Sequence, residues 1–119
     1  MMKSQVKAYE VYWLKIHNDP NATHRQKGNR PVIIMQCNEL NDSNILTTII
    51  IPTTSKERAD NEYECEIKHT VMPQKSVALC DNIQLVDDYR IKKSDYITTL
   101  DERDVAEIKR CLMNVLALK

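Results

Sequence analysis

The apolar residues of the chain fall into short runs, and polar stretches rich in turn-forming residues separate them. Such runs, when dense in β-branched and aromatic side chains, are typical of β-strands. We therefore predict strands at residues 9–16, 32–36, 45–51 and 63–67. Residues 76–80 and 81–86 are predicted as two strand segments or one bent strand. The pattern favours a β-rich α+β fold, a small antiparallel barrel of about five to seven strands with short helices.

The last part of the chain has the spacing of an amphipathic helix. Its apolar residues recur at steps of three and four, at Val105, Ile108, Leu112, Val115 and Leu116. The sequence Thr99-Leu100-Asp101-Glu102 matches a capping box, which predicts that Thr99 caps this helix. We therefore expect a C-terminal helix that packs one face on the sheet. Residues 87–93 are charged and predict one or two further helical turns.

The connections carry the remaining signals. Residues 17–29 form a long loop with several turn formers, and loops of that length in compact domains are often functional. Pro52 is expected to end the strand before it, and a cluster of hydroxyls follows at residues 53–55. Residues 1–8 are polar without a clear period and are expected to be a flexible end.

Length and composition predict a single domain over residues 1–119. The chain has a mass of 13.9 kDa with 42% apolar and 29% charged residues, which is ordinary for a soluble protein. A domain of this size buries about two-thirds of its unfolded surface, so it needs neither disulfides nor a metal for stability. No secretory leader and no membrane-spanning stretch is evident, so we expect a cytoplasmic protein without a membrane partner.

The cysteines are expected to be free thiols. They are widely and irregularly spaced, without a Cys-x-x-Cys pair, at Cys37, Cys65, Cys80 and Cys111. This spacing supports neither a disulfide framework nor a zinc motif, and small buried thiols are common in a reducing compartment. We predict no metal and no other cofactor.

The net charge is zero, with 17 basic and 17 acidic residues, but the charges are unevenly distributed. Residues 20–38 contain no acidic side chain, and this window holds His24, Arg25, Lys27 and Arg30. It also holds the only glycine, Gly28, whose backbone can approach a ligand closely. Arg30 precedes Pro31 at the predicted entry to a strand, where a guanidinium is well placed to receive a phosphate or carboxylate. The window predicts a site for an anionic ligand.

Five motifs in order make the chain resemble the MazF/PemK family of toxin ribonucleases. They are Val11-Tyr12-Trp13, the segment from Gln26 to Val32, Ile51-Pro52-Thr53, residues 76–79, and Leu100-Asp101-Glu102 before the final helix. The resemblance covers residues 9–118 and implies an SH3-like barrel, a homodimer and a cognate antitoxin with an acidic, partly disordered segment. It also implies metal-independent cleavage of single-stranded RNA.

The resemblance also assigns roles to residues. Arg30 falls on the family's active-site arginine, Thr53 on its active-site threonine or serine, and Gln26 on the glutamine of the covering loop. The late-strand Glu-Gln and the arginine after it are matched by Asp81-Asn82 and Gln84. The implied RNA-binding residues are Arg25, Gln26, Lys27, Gly28, Asp81, Asn82 and Gln84.

Three positions depart from the family pattern. Arg25 stands where an acidic residue is common, and Lys27 stands where the loop usually has a second glycine. Tyr9-Glu10 replaces a glycine that usually precedes the first strand. The RNA sequence preference of the family therefore does not transfer to this chain.

Cleavage of RNA by its own 2′-OH needs a base, an acid, and donors for the charge that develops on phosphorus. Arg30 offers charge-assisted hydrogen bonds to phosphoryl oxygens, and Thr53 offers a hydroxyl. His24 is either the general base, since its side chain titrates near neutral pH, or a solvated loop residue. The products would carry a 2′,3′-cyclic phosphate and a 5′-OH.

A non-enzymatic alternative stays open at this stage. Toxins of the CcdB type share this architecture and bind a protein target such as DNA gyrase. In that case the basic window would be a solvated surface, and the terminal helix would contact the target.

Overall fold

The computed structural model describes residues 6–16, 28–56, 61–69 and 71–118. Within these ranges the chain forms strands β1 to β7 at Glu10–Ile16, Gly28–Ile34, Thr47–Thr54, Glu64–Glu66, Val77–Leu79, Gln84–Asp87 and Tyr96–Thr99. Helix α1 is the single turn Asn38–Asn41, and helix α2 is Glu102–Val115. Two 3₁₀ turns lie at Asp88–Arg90 and Lys93–Asp95, the first inside the predicted helical segment 87–93.

The strands form one antiparallel sheet in the order β4-β5-β3-β2-β1-β7, with β6 also paired to β3. The predicted β-rich α+β fold with a C-terminal helix is confirmed. The difference from the expected barrel is that the sheet of the described residues is not closed, because β4 pairs only with β5 and β7 only with β1.

Strand β3 lies at the centre of the sheet and continues through Pro52, so the prediction that Pro52 ends it is wrong. On one side Ile50 to Pro52 pair with β2. On the other side β6 pairs with residues 47–50 and β5 pairs with Thr53 and Thr54. Pro52 therefore lies in the gap between β5 and β6, where neither strand requires a hydrogen bond from it. Residues 76–86, predicted as two segments or one bent strand, form the separate strands β5 and β6.

Strand β2 begins earlier than the sequence predicts. Arg30 and Pro31 lie inside the strand, because the register with β1 extends back to the pair Ile16–Gly28. The strand ends at Ile34, and the predicted strand residue Gln36 is instead part of a buried hydrogen-bond network. Its side-chain amide donates to Asn41 Oδ1 and to the Thr47 carbonyl, at 3.0 Å in both cases. Pairing with β1 extends β2 at its start, and the hydrogen bonds of Gln36 keep this residue out of the strand at its end.

The core consists of two apolar clusters on the two faces of the sheet. One is built from residues such as Leu14, Val32 and Ile50. The other includes Val11, Ile33 and Ile51, and helix α2 covers it with Ile108 and Cys111. Both faces of the central strands are therefore buried, and this explains why their sequences are nearly continuous apolar runs.

Helix α2 is confirmed as amphipathic, but its predicted cap is wrong. Asp101 is the N-cap, and its carboxylate accepts a hydrogen bond of 3.1 Å from the Asp104 amide. Thr99 lies in β7, a strand that the hydrophobic pattern did not indicate because it is only four residues long. The same applies to α1, whose single turn has no apolar period. In the described ranges, no helix has the length and apolar character needed to cross a membrane.

Candidate functional site

Arg30, the central residue of the predicted site, lies in β2, and its side chain contacts the neighbouring strand β3. It is the third residue of β2 and pairs with Leu14 of β1, so its side chain leaves the sheet on the face of Leu14 and Val32. The side chain is half-buried, and Nη1 donates to the carbonyl oxygen of Thr53 at 3.1 Å. Packing and this hydrogen bond both restrict the guanidinium, so its position is set before any ligand arrives.

Thr53 is brought next to Arg30, as the motif order suggested. The hydroxyl of Thr53 is fully buried and donates to the Pro31 carbonyl at 2.7 Å. The two hydrogen bonds run in opposite directions between β2 and β3, one from Arg30 to Thr53 and one from Thr53 to Pro31. They connect β2 and β3 beyond the end of their regular pairing, which consists of Val32–Pro52, Ile33–Ile51 and Ile34–Ile50. In this arrangement Thr53 fixes the strand that carries Arg30.

Asp81, Asn82 and Gln84 lie on the other side of β3. Asp81 and Asn82 form the turn after β5, and the Asn82 amide donates to the Leu79 carbonyl at 2.9 Å. Gln84 opens β6, pairs with Ile50, and donates from Nε2 to Asn82 Oδ1 at 3.4 Å. Strand β3 thus lies between Arg30 and this turn.

The loop part of the predicted site lies outside the described residues. This applies to His24, Arg25, Gln26 and Lys27. Gly28 is the first residue of β2, and its backbone pairs with Ile16. The end of the predicted loop, two residues before Arg30, therefore lies beside the end of β1.

A hollow lined by basic and aromatic side chains, which was not predicted from the sequence, lies beside this end of β1. It has a volume of about 450 Å³ and includes Trp13, Lys15, Tyr89, Arg90 and Lys92. Leu14, which pairs with Arg30, also lines it, together with Asn29 and one acidic residue, Asp95. Arg90 is fixed by a hydrogen bond from Nη2 to the carbonyl oxygen of Lys15.

The composition of this hollow suits a nucleic acid. Tyr89 is 76% exposed, so its ring is available for stacking, and the three cations outnumber the single carboxylate of Asp95, which leaves a net positive lining suited to a phosphate backbone. A signal was present in the sequence, since the short segment 87–93 places the aromatic Tyr89 next to the basic residues Arg90 and Lys92. Only the fold brings that segment against β1.

The fold and the position of Arg30 together define a class of protein. It is a small, β-rich protein whose sheet presents a pre-positioned arginine beside a basic surface. The chain belongs to the PemK-like, MazF-like toxin family of type II toxin–antitoxin systems, which it matches over residues 7–116. None of the curated proteins compared with the chain matches it.

Solved structures share the fold. MazF from Deinococcus radiodurans has a TM-score of 0.78 at 21% identity, over 95% of this chain and 97% of that one. An endoribonuclease from a mycobacterial species, in complex with its cognate antitoxin, has a TM-score of 0.76 at 18% identity, over 96% and 97% of the two chains. A MazE–MazF structure from D. radiodurans has a TM-score of 0.72 at 18% identity, with the same coverage.

Proposed function

We propose that the protein is an endoribonuclease toxin that cleaves single-stranded RNA without a metal ion, in the cytoplasm, and that a cognate antitoxin neutralises it. The observation that carries the proposal is the family match over residues 7–116, on a chain in which Arg30 is held against Thr53. The endoribonuclease activity named for the mycobacterial relative supports the same reaction class.

Arg30 supplies electrostatic stabilisation in this proposal. When the 2′-OH of the RNA attacks the adjacent phosphorus, negative charge grows on the non-bridging oxygens. A guanidinium that is already oriented donates two parallel hydrogen bonds to that charge without reorganising. Its attachment to the Thr53 carbonyl uses one N–H of Nη1 and fixes the plane of the group.

Thr53 acts by positioning Arg30 in this structure, since its hydroxyl is donated to Pro31. His24 is proposed as the general base that takes the 2′-OH proton, because an imidazole has a pKa suited to neutral pH. The RNA would be bound by Arg25, Gln26, Lys27 and Gly28 of the loop and by Asp81, Asn82 and Gln84. The hollow around Lys15 and Tyr89 would extend this surface along β1.

The reaction is tested with purified protein, a single-stranded RNA substrate and excess EDTA. We expect cleavage to continue, with products that carry a 2′,3′-cyclic phosphate and a 5′-OH, and we expect a 2′-deoxy nucleotide at the scissile position to block it. Arg30→Ala serves as the matched inactive protein and excludes a contaminating nuclease. If the wild-type protein leaves RNA intact, or cuts the deoxy site, the proposed chemistry is wrong. Intact RNA would favour the CcdB-type alternative, a toxin that binds a protein.

We propose that the antitoxin competes with RNA for the surface around Arg30. A cationic surface built for a phosphate backbone is electrostatically suited to an acidic and apolar peptide segment. Binding of the two should then be mutually exclusive and should weaken with salt. Fluorescence anisotropy of a labelled, uncleavable RNA measures the displacement. A stable ternary complex of toxin, antitoxin and RNA would contradict competition.

A further inference from the structure

Three of the four cysteines meet at one point of the fold, although they are far apart in the sequence. The sulfur atoms of Cys65, Cys80 and Cys111 all lie within 4.8 Å of one another. Cys80 and Cys111 are buried and Cys65 is half-buried, whereas Cys37 is exposed. The sequence spacing did not indicate a metal site, because each of these three cysteines comes from a different element.

Sheet register and helix periodicity explain the cluster. Cys65 of β4 pairs directly with Ala78 of β5. Cys80 follows Ala78 by two residues, so it projects from the same face of the sheet. Cys111 lies on the inner side of α2, one turn after the fully buried Ile108, and packs in the same apolar cluster as Cys80. The three thiols therefore converge where the helix crosses the edge of the sheet.

The cluster is closed on the core side and accessible on the other. Cys65 lines a hollow of about 660 Å³ together with polar residues of β4 and α2, namely Asn61, Glu64, Glu66, Lys68, Arg103, Glu107 and Arg110. The guanidinium of Arg110 lies beside the cluster, with Nη2 at 3.8 Å from Cys111 Sγ. A small ion can reach the thiols from this hollow, while the apolar core shields their inner side.

The thiols interact with one another. The hydrogen bond between the Cys65 and Cys80 thiols lowers the pKa of Cys65 and raises that of Cys80, and burial raises the pKa of Cys111 to about 11. No carboxylate or imidazole belongs to the cluster among the described residues, so the ligand set is thiolate alone. Such a set selects thiophilic cations over Mg²⁺ or Ca²⁺.

We propose that Cys65, Cys80 and Cys111 form a binding site for one Zn²⁺ ion, with a water molecule from the hollow as the fourth ligand. On binding, each thiol loses one proton to solvent and each sulfur donates to the metal. Tetrahedral zinc with Zn–S bonds of about 2.3 Å separates its sulfurs by about 3.8 Å. The three sulfurs thus need to move inward by about 1 Å or less.

Charge favours zinc over Cu(I) at this place. Three thiolates and Zn²⁺ leave one negative charge, whereas Cu(I) would leave two. The neighbouring Arg110 is shared with Glu107, which it contacts at 3.4 Å, so the site tolerates the smaller residual charge better. The bound ion would connect α2 to β4 and to Cys80, the residue that follows β5. Strand β5 itself pairs with Thr53. The bound ion would thus cross-link the helix and the sheet, and its water-filled fourth position opens to the hollow.

The test uses the full chain without a purification tag, fully reduced and freed of metal. Co²⁺ is added first, because tetrahedral thiolate ligation gives a sulfur-to-cobalt charge-transfer band, and Zn²⁺ is then added to displace it. We expect one Co²⁺ per chain, and we expect Cys65→Ser and Cys111→Ser each to lose the band and to weaken Zn²⁺ binding at least about 100-fold. Cys37→Ser is the matched control and should bind like the wild type.

Two results would overturn the site: a reduced wild-type protein that shows no charge-transfer band, or a Cys65→Ser variant that binds Zn²⁺ as tightly as the wild type. Cys65 is half-exposed, so this variant should fold even if Cys111→Ser does not, and circular dichroism verifies it. The readout is metal binding, so a negative result would leave the proposed RNA cleavage unaffected.

Discussion

The position of Arg30 follows from its immediate neighbours in the chain. Pro31 disfavours a helical conformation for the residue before it, which keeps Arg30 extended. Pairing with Leu14 then directs the side chain, and the Thr53 carbonyl restrains its end. A cation restrained in this way loses little entropy when it binds a phosphate, and this makes it suited to stabilising a transition state.

Replacement of Arg30 should therefore affect turnover more than binding. We expect Arg30→Ala to lower the rate of RNA cleavage by about 100- to 1000-fold, because the interaction strengthens as charge develops. Arg30→Lys should recover little, since an ammonium lacks the two-pronged geometry. Single-turnover kinetics and RNA affinity are measured in parallel, with Arg103→Ala of the exposed face of α2 as the control. Cleavage by Arg30→Ala at the wild-type rate would place the chemistry elsewhere.

In the part of the chain that the structure describes, two residues other than glycine have a positive φ, Tyr9 at 70° and Ala117 at 56°. Tyr9 belongs to the pair Tyr9-Glu10 that stands where the family resemblance leads us to expect a glycine, a residue that adopts a positive φ without steric cost. Contacts with the core and the Lys109 ammonium, 5.7 Å from the ring centre, accompany this strained backbone. The left-handed region costs an ordinary residue about 1–2 kcal/mol, which these contacts must offset.

Ala117 offers a clean measurement of that cost. It follows the end of α2 in a Schellman motif, in which Leu118 N donates to Met113 O at 2.8 Å and Ala117 N to Asn114 O at 3.3 Å. Ala117→Gly should stabilise the protein by about 1 kcal/mol, because glycine adopts this φ without steric cost. Urea unfolding measures the change. The same substitution at the exposed mid-helix residue Ala106 should destabilise by a similar amount, and a destabilisation at both sites would refute the explanation.

At the scale of elements, Asp104 fastens the start of α2 to the segment that follows β4. It is 2% exposed, and its two carboxylate oxygens accept from the backbone amides of Lys68, at 2.8 Å, and His69, at 3.0 Å. Asp101 in turn caps the Asp104 amide. The acidic residues at the helix start therefore do more than complement the helix dipole, since one of them joins the helix to the sheet.

Loss of this carboxylate should weaken the packing of α2 on the sheet. We expect Asp104→Ala to lower the free energy of unfolding by about 2–3 kcal/mol, since it leaves two partly buried amides without an acceptor. Asp101→Ala, which removes only a cap, should cost about 1 kcal/mol. Urea denaturation compares the two variants. A smaller loss for Asp104→Ala than for Asp101→Ala would show that water replaces the carboxylate at no cost.

At the scale of the whole molecule, the open sheet and the distribution of apolar side chains point to self-association. Strand β6 pairs only with β3 among the described strands, and its Leu85 is 65% exposed. Leu46 is exposed on the adjacent segment, and Met113, Leu116 and Leu118 are exposed at the end of α2. Sheet edges and apolar patches of this kind are commonly covered in an oligomer.

We therefore expect a homodimer. Light scattering coupled to gel filtration should give twice the 13.9 kDa chain mass at micromolar concentration. The urea midpoint should also rise with protein concentration, because association stabilises the folded state by mass action. A constant mass of one chain over that range, with a midpoint independent of concentration, would contradict the dimer.

The sequence by itself determined the features that depend on local pattern. The apolar run of β3 and the three- and four-residue period of α2 follow from residues close in the chain, and the order of motifs indicated the family. The acid-free window singled out Arg30 as a candidate, and the family motifs paired it with Thr53, which the structure places in contact with it.

Only the tertiary structure decided the features that depend on pairing between distant segments. It carried β3 through Pro52, turned the Thr53 hydroxyl toward Pro31, and brought the aromatic and basic residues of 87–93 against β1. It also gathered Cys65, Cys80 and Cys111 from three elements. Local periodicity states which face of an element is buried, but register and packing decide which side chains of distant elements meet there.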